Sequence, residues 1–254
     1  MDIQLRKLYP AAMKFMLQPV HFLRPVVFAA LFAGAGLVAL AGESALNYLA
    51  PGQPDAVTLL APPPLAGSPE QTADLDTVRR VAHAATSNEV AAAFSEKSFT
   101  VFNFTGTIGA YFIPANLPKA TAFFKRVQHD AANVTNAGKN FWQRPRPFMV
   151  DTNLASGPPL EKSFSYPSGH STETMVLALV LAELLPEKHD DLLAHARLMG
   201  WHRVQIARHY PTDVHAGRVL AQAIVREFKK SEAFQKDLAE VKAEMEAVRA
   251  AAKN

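Results

Sequence analysis

Three separated groups of polar residues carry chemistry in this sequence. Lys139 and Arg146-Pro147 form the first, Pro167-Ser168-Gly169-His170 the second, and Arg203, His209 and Asp213 the third. Together they supply fixed cations, two imidazoles, a carboxylate and a glycine-bearing turn. That set suits binding a phosphate dianion and passing its phosphoryl group through histidine. Phosphoryl transfer asks mainly for positioning and for neutralising charge on the equatorial oxygens.

The second group opens an apolar helix, where unpaired backbone N–H groups and the helix dipole favour an anion. Ser168 can donate its hydroxyl, and Gly169 lets the main chain approach a phosphate oxygen. His170 then stands at the edge of the anion site, where an imidazolium could protonate a leaving oxygen. In the first group Lys139 and Arg146 are about two helical turns apart and share a face if the helix persists that far. Arg146 offers a planar fork and Lys139 a compact charge. Arg144 competes for the same role, because Arg144-Pro145-Arg146-Pro147 repeats the dipeptide.

In the third group Pro211 disfavours a helical Tyr210 and suits a first helical turn, so His209 falls just before a helix. Asp213 lies in that first turn, within reach of the imidazole. A carboxylate on one ring nitrogen fixes the tautomer and leaves the other lone pair free to attack phosphorus. Taken singly, each group has a plainer explanation: a serine cap, a solvated basic patch, a buried His–Asp pair. Their mutual fit argues for a joint function.

The elements that must position these groups read as helices. Leu75, Val78 and Val81 recur at helical spacing after Thr72, a candidate N-cap. A long helix is expected from Pro118 to about Phe141. After His170, the run from Thr174 through Val180-Leu181-Ala182 is apolar all round and reads as a central buried helix. Another runs from about His189 to Ala207, and a further one starts at Pro211. From Ser231, Phe234, Leu238, Val241, Met245 and Val248 form a narrow apolar seam that could dock on the body or pair with another subunit. No useful strand pattern or internal repeat occurs. The expected fold class is all-α, a single-domain helical bundle over residues 71–254.

Residues 42–70, rich in Pro, Gly and Ala, read as an extended arm with little regular structure. Residues 1–41 read as an export signal. Arg6, Lys7, Lys14 and Arg24 precede an apolar run ending in Ala39-Leu40-Ala41, a small-x-small cleavage form. Translation from Met13 would give more usual proportions, and an uncleaved anchor is the rival reading. This leader holds four Lys/Arg and one acid, leaving 22 of each sign in the remainder. The basic pI therefore belongs to the leader and gives no argument for a nucleic-acid partner. The absence of cysteine excludes disulfides, zinc–thiolate sites, a thiol nucleophile and a lipidated cysteine.

The spacing Lys–six residues–Arg-Pro, then Pro-Ser-Gly-His, then Arg–five residues–His–three residues–Asp, resembles the signature of the type 2 phosphatidic acid phosphatase superfamily. That superfamily also holds the vanadium-dependent haloperoxidases. The chain looks most like its bacterial class A nonspecific acid phosphatases, over most of the sequence that follows the leader. The resemblance includes Ala178-Leu179-Val180-Leu181-Ala182-Glu183 and Ala233-Phe234-Gln235. It implies an exported, periplasmic or secreted enzyme with an all-α fold that hydrolyses small phosphomonoesters through a phosphohistidine. No metal or cofactor is implied, and vanadate is expected to bind as a phosphate mimic. His209 resembles the nucleophile, Asp213 its partner, and His170 the general acid and then base. Lys139, Arg146, Ser168, Gly169 and Arg203 resemble the phosphate-binding set, which favours Arg146 over Arg144. One departure stands out: His202 occupies the position before Arg203 where the family usually has serine.

Four other readings share some of these residues. A membrane lipid phosphatase would need several bilayer-length apolar spans, which this chain lacks after its leader. A haloperoxidase would hold vanadate in the same cradle, and the shortness of the chain speaks against it. A non-catalytic phosphate-binding module would have no use for His170, His209 and Asp213 together. A metal hydrolase built on His202, His209, Asp213 and His215 would suffer the nearby cations Lys139 and Arg203. Aromatic residues between Phe99 and Phe112 could line a leaving-group pocket or belong to the core. No stable membrane insertion is expected once the leader is cleaved.

Overall fold

In the computed structural model, which describes residues 46–154, 157 and 160–252, most helix boundaries trace to a local signal in the sequence. The one-turn helix α1 (Ala56–Leu59) is capped by Asp55. Helix α2 (Pro69–Ala84) starts at Ser68, whose side chain accepts from Gln71 N, with Pro69 in the first turn. The start is therefore one turn earlier than a cap at Thr72 would give. Thr86 and Glu89 close a capping box over α3 (Ser87–Ser95). A 3₁₀ turn at Val101–Phe104 leads into the short α4 (Thr105–Ile108).

The long α5 (Pro118–Trp142) ends where Gln143 turns into the left-handed region at φ 48°. The two following X-Pro steps, at Pro145 and Pro147, keep the chain extended before α6 (Pro147–Val150). Lys139 and Arg146 therefore do not share a helical face; Arg146 reaches the site from the loop. Four further α-helices follow among the described residues. They are α7 (Gly169–Leu184), α8 (His189–Gln205), α9 (Pro211–Phe228) and α10 (Glu232–Ala251). Among the described residues no strand occurs, so the fold is all-α.

Helix α7 is the axis of the molecule, packed by α5, α8 and α9. Val176, Leu177, Ala178, Val180 and Leu181 are fully buried on successive sides of it, as its uniform apolarity requires. Each large aliphatic side chain so buried contributes roughly 1.5–3 kcal/mol. Gly217 permits the closest approach: a Cβ there would stand 2.8 Å from the Ser168 carbonyl, so α9 lies directly against the start of α7.

Helix α10 packs on α5, and its seam residues Phe234, Val241 and Met245 are buried in the main core. The seam docks on the body. The segment before α2 is also tied down. The buried Asp130 carboxylate accepts from the backbone N–H groups of Asn47, Tyr48 and Leu49 at 2.7–3.2 Å. Residues Ser44–Asn254 form one compact unit. The leader expected over residues 1–41 lies outside the described residues.

Candidate active site

The N-terminus of α7, the C-terminal part of α5 and the turn between α8 and α9 converge on one cavity of about 360 Å³. Its wall includes Lys139, Arg146, Gly169, His170 and His209 from the sequence-derived set, together with Glu161 and Glu173. Residues drawn from three separated segments thus share one space.

The turn after α8 sets the third group. Ala207 adopts φ 53°, and the backbone N–H groups of Arg208 and His209 both return to the Arg203 carbonyl, at 2.8 and 3.2 Å. Tyr210 then caps α9 as an extended residue before Pro211. Asp213 reaches back from the first turn. Its Oδ2 accepts from Tyr210 N at 2.9 Å and from the Ser165 hydroxyl at 2.5 Å, and stands 3.3 Å from His209 Nδ1. Its Oδ1 accepts from Arg144 at 2.6 Å. A carboxylate can only accept, so Nδ1 of His209 carries the hydrogen and Nε2 keeps its lone pair. Nε2 lies 3.2 Å from an Arg146 guanidinium nitrogen. Burial, then Arg146, Lys139 and Arg203, drive the His209 pKa well below its ordinary value. This favours the neutral imidazole, the state in which it can act as a nucleophile.

Arg146 is fixed by the Ser163 carbonyl at 2.7 Å and the Arg208 carbonyl at 2.8 Å. Lys139 donates to the Phe164 carbonyl at 2.6 Å, and burial followed by the nearby Arg146 lowers its pKa to about 7. Arg203 and Arg208 grip the two oxygens of Glu161, at 2.5 and 2.9 Å. Ser168 is fully buried; its Oγ caps α7 by accepting from Ser171 N at 3.4 Å, and its own N–H donates to the Asp213 carbonyl. That leaves the N–H groups of Gly169 and His170 without an intrahelical acceptor. A Cβ on Gly169 would sit 3.8 Å from Lys139 Cε, over the space an anion would enter.

The ring of His170 stacks beside Phe99, with centroids 5.0 Å apart. Its Nε2 is 3.2 Å from the carbonyls of both Glu96 and Lys97. Carbonyls only accept, so Nε2 carries hydrogen and Nδ1 remains for proton exchange. Burial, then Arg203, lowers this pKa to about 3. The unusual His202 points elsewhere: its Nδ1 is 2.8 Å from the Glu96 carboxylate. His215 is exposed on a separate groove with Pro62–Pro64 and Val219, so the four groups of the metal-hydrolase reading do not converge.

Arg144, the rival to Arg146, is a structural cation. It bridges Asp213 and Asp74 at 2.6 and 2.7 Å and lies over the Tyr210 ring at 3.8 Å. Sequence reasoning missed Arg208, Glu161, Ser165, Glu96 and Glu173. Only Glu173 left a trace in the sequence: it is an acid three residues after His170, just before the apolar run Met175–Ala182. Of the aromatic stretch, Phe104 and Phe112 are core, while Phe99 lines the cavity.

Residues 130–235, which contain all three polar groups, match the model of the PAP2 superfamily. An acid phosphatase of Zymomonas mobilis subsp. mobilis is 30% identical over 207 residues, 78% of this chain and 78% of that protein. A non-specific acid phosphatase of Providencia stuartii is 29% identical, covering 88% of this chain and 93% of that protein. The Salmonella typhimurium non-specific acid phosphatase is 32% identical over 56% of this chain and 59% of its own length. Among solved structures, the transmembrane PAP2 type phosphatidylglycerolphosphate phosphatase from Bacillus subtilis aligns with a TM-score of 0.48 and 19% identity, over 69% of this chain and 89% of that one. With its motifs gathered in one cavity and a relative matched along most of both chains, the protein belongs to the PAP2 superfamily as a class A-like bacterial acid phosphatase, a phosphoric monoester hydrolase.

Proposed function

We propose that the enzyme hydrolyses a broad range of small phosphomonoesters through a phosphohistidine on His209, without a metal ion. The observation that carries this reading is the His209 ring. Nδ1 is held on Asp213, while Nε2 faces a cavity walled by Lys139 and Arg146. In the first step the Nε2 lone pair forms a bond to phosphorus as the ester P–O bond breaks. The bound phosphate dianion favours the imidazolium form of His170, which gives its Nδ1 proton to the departing alkoxide. In the second step His170 takes a proton from water, whose oxygen displaces Nε2 and releases phosphate.

Lys139, Arg146 and Arg203, with the Gly169 and His170 N–H groups, neutralise the equatorial oxygens through both steps. Because these contacts address the phosphoryl group, they support activity on many alcohols. Among the described residues no cluster of His, Asp and Glu suited to a metal occurs. The dense cation set also repels a divalent ion. Vanadate should compete with substrate. We infer export by way of the leader expected over residues 1–41; among the described residues no helix is long and apolar enough to cross a membrane.

Rapid quenching with a ³²P-labelled aryl phosphate tests the mechanism. An acid-labile, base-stable label should appear on the protein, vanish in His209→Ala, and form undiminished in excess chelator. Turnover by His209→Ala at the wild-type rate would refute the assignment.

A further inference from the structure

The phosphate-binding groups do not wall the cavity alone, and the rest of its lining has a distinct chemistry. Gln128, Ala132 and Asn136 follow one another at four-residue spacing and form one stripe of α5. Phe99 faces the cavity from the segment before α4, with Lys97 and Ser98 at the rim. Glu173 completes the wall from α7, one turn beyond His170, with its Oε1 3.5 Å from where a Cβ on Gly169 would stand, at the border of the phosphate-binding groups. Among the described residues no hydrogen bond reaches the Glu173 carboxyl or the Asn136 side chain, and no ion pair joins Glu173 to Lys139. A carboxyl left without a hydrogen bond in a cavity wall is costly unless a ligand satisfies it.

We propose that this part of the lining is a leaving-group subsite for a hydroxyl-rich alcohol, a sugar or polyol, with Glu173 as the residue that determines the preference. This rests on the phosphomonoesterase reading and specifies its substrate class. A carboxyl, two amides and the Ser98 hydroxyl are donors and acceptors that pair with alcohol hydroxyls, while the Phe99 ring offers an apolar face to C–H groups. Burial raises the acid of Glu173 to about 7, so in acid it both donates and accepts. An ammonium-bearing leaving group is disfavoured by Lys97, Lys139 and Arg146 around the same space. A plain aryl or alkyl group would leave the carboxyl and amides unpaired. Sites built to bind a hydroxyl reject analogues that lack it more strongly than apolar pockets sort by size.

The test compares kcat/KM for glucose 6-phosphate with that for phenyl phosphate in wild type, Glu173→Leu and Glu173→Gln. Any general change in the cavity's positive field acts on both phosphates and cancels in the ratio. Glu173→Leu should lower the glucose 6-phosphate to phenyl phosphate ratio by at least about tenfold. Glu173→Gln, which keeps a donor and an acceptor, should hold it within about threefold of wild type. Inhibition by inorganic phosphate, measured in parallel, reports whether the phosphate side of each variant is intact. A ratio unchanged in Glu173→Leu would overturn the subsite and leave Glu173 as a group that merely tunes Lys139. A wild-type preference for phosphoethanolamine that is lost in Glu173→Leu would overturn it in favour of a cation site. Failure of the wild type to hydrolyse phenyl phosphate at all would instead refute the phosphatase reading, so the two failures are distinguishable.

Discussion

His202 donates toward the Glu96 carboxylate at 2.8 Å, and the backbone carbonyl of the same Glu96 receives the ring of His170. His202 therefore braces the turn that holds the His170 ring, the proposed general acid. Both side chains are largely buried, at 6% and 12% exposure, so the contact is weakly screened. His202→Ser should loosen residues 96–97 and slow protonation of the leaving oxygen. We expect kcat to fall about three- to tenfold for alkyl phosphates, and less for aryl phosphates, whose leaving groups need little protonation. Equal losses on both substrates would speak against this bracing role.

Asp213 and Arg146 should fail in different ways from Arg144. Asp213→Asn removes the anion that holds His209 Nδ1 and pairs with buried Arg144. The expected loss in kcat is on the order of 10³-fold. The stability loss should lie near the lower end of the roughly 3–5 kcal/mol for breaking a buried pair, since Asp74 still pairs with Arg144. Arg144→Lys should lower Tm while moving the phosphate inhibition constant little. Arg146→Lys should weaken phosphate binding by about tenfold or more, because the bidentate fork is lost. Thermal melts and inhibition assays on the three variants check the contrast.

Glu161 grips Arg203 and Arg208 with the carboxylate geometry that a phosphate would also use. At 23% side-chain exposure it can be displaced by a competing anion. Glu161→Gln should therefore tighten inhibition by phosphate or vanadate about three- to tenfold. A weaker inhibitor constant in that variant would show instead that Glu161 serves to position the arginines.

Lys139 fixes the sign of one pH effect. Its pKa is about 7, below the ordinary 10.5, because of burial and then Arg146. The depressed value costs folding stability fully below about 7, and the cost fades as pH rises toward 10.5. An entering anion favours the charged amine, so binding above about pH 7 takes up a proton and weakens as pH rises. Sulfate, whose charge is constant in this range, isolates the effect. Its inhibition constant should rise above about pH 7 by at most about tenfold per pH unit, and Lys139→Met should abolish that rise.

Gly217→Ala tests the α7–α9 approach. The added methyl would meet the Ser168 carbonyl at 2.8 Å and Ser171 Cβ at 3.0 Å, displacing the start of α7. A stability loss of about 1–3 kcal/mol is expected from such overpacking. Chemical denaturation, read with kcat, would show both the loss and the disturbance of His170.

The sequence by itself determined the helical class, because periodic apolar residues, prolines and capping side chains are local signals. The central helix after His170, the helix start at Pro211 and the His209–Asp213 reach are all set within a few residues. The catalytic candidates were legible too, since their types and spacings suit a single chemistry. Tertiary structure decided what no local rule encodes. Left-handed Gln143 ends α5, so a loop rather than a shared helical face brings Arg146 to Lys139. Arg144 and Arg146 are the same residue type two positions apart, and only the long-range carboxylates Asp74 and Asp213 assign one to structure while the other turns toward His209. Glu161, Glu96 and Arg208 acquire roles by pairing across some forty residues or more, where charge complementarity depends on how the helices pack rather than on any pattern along the chain.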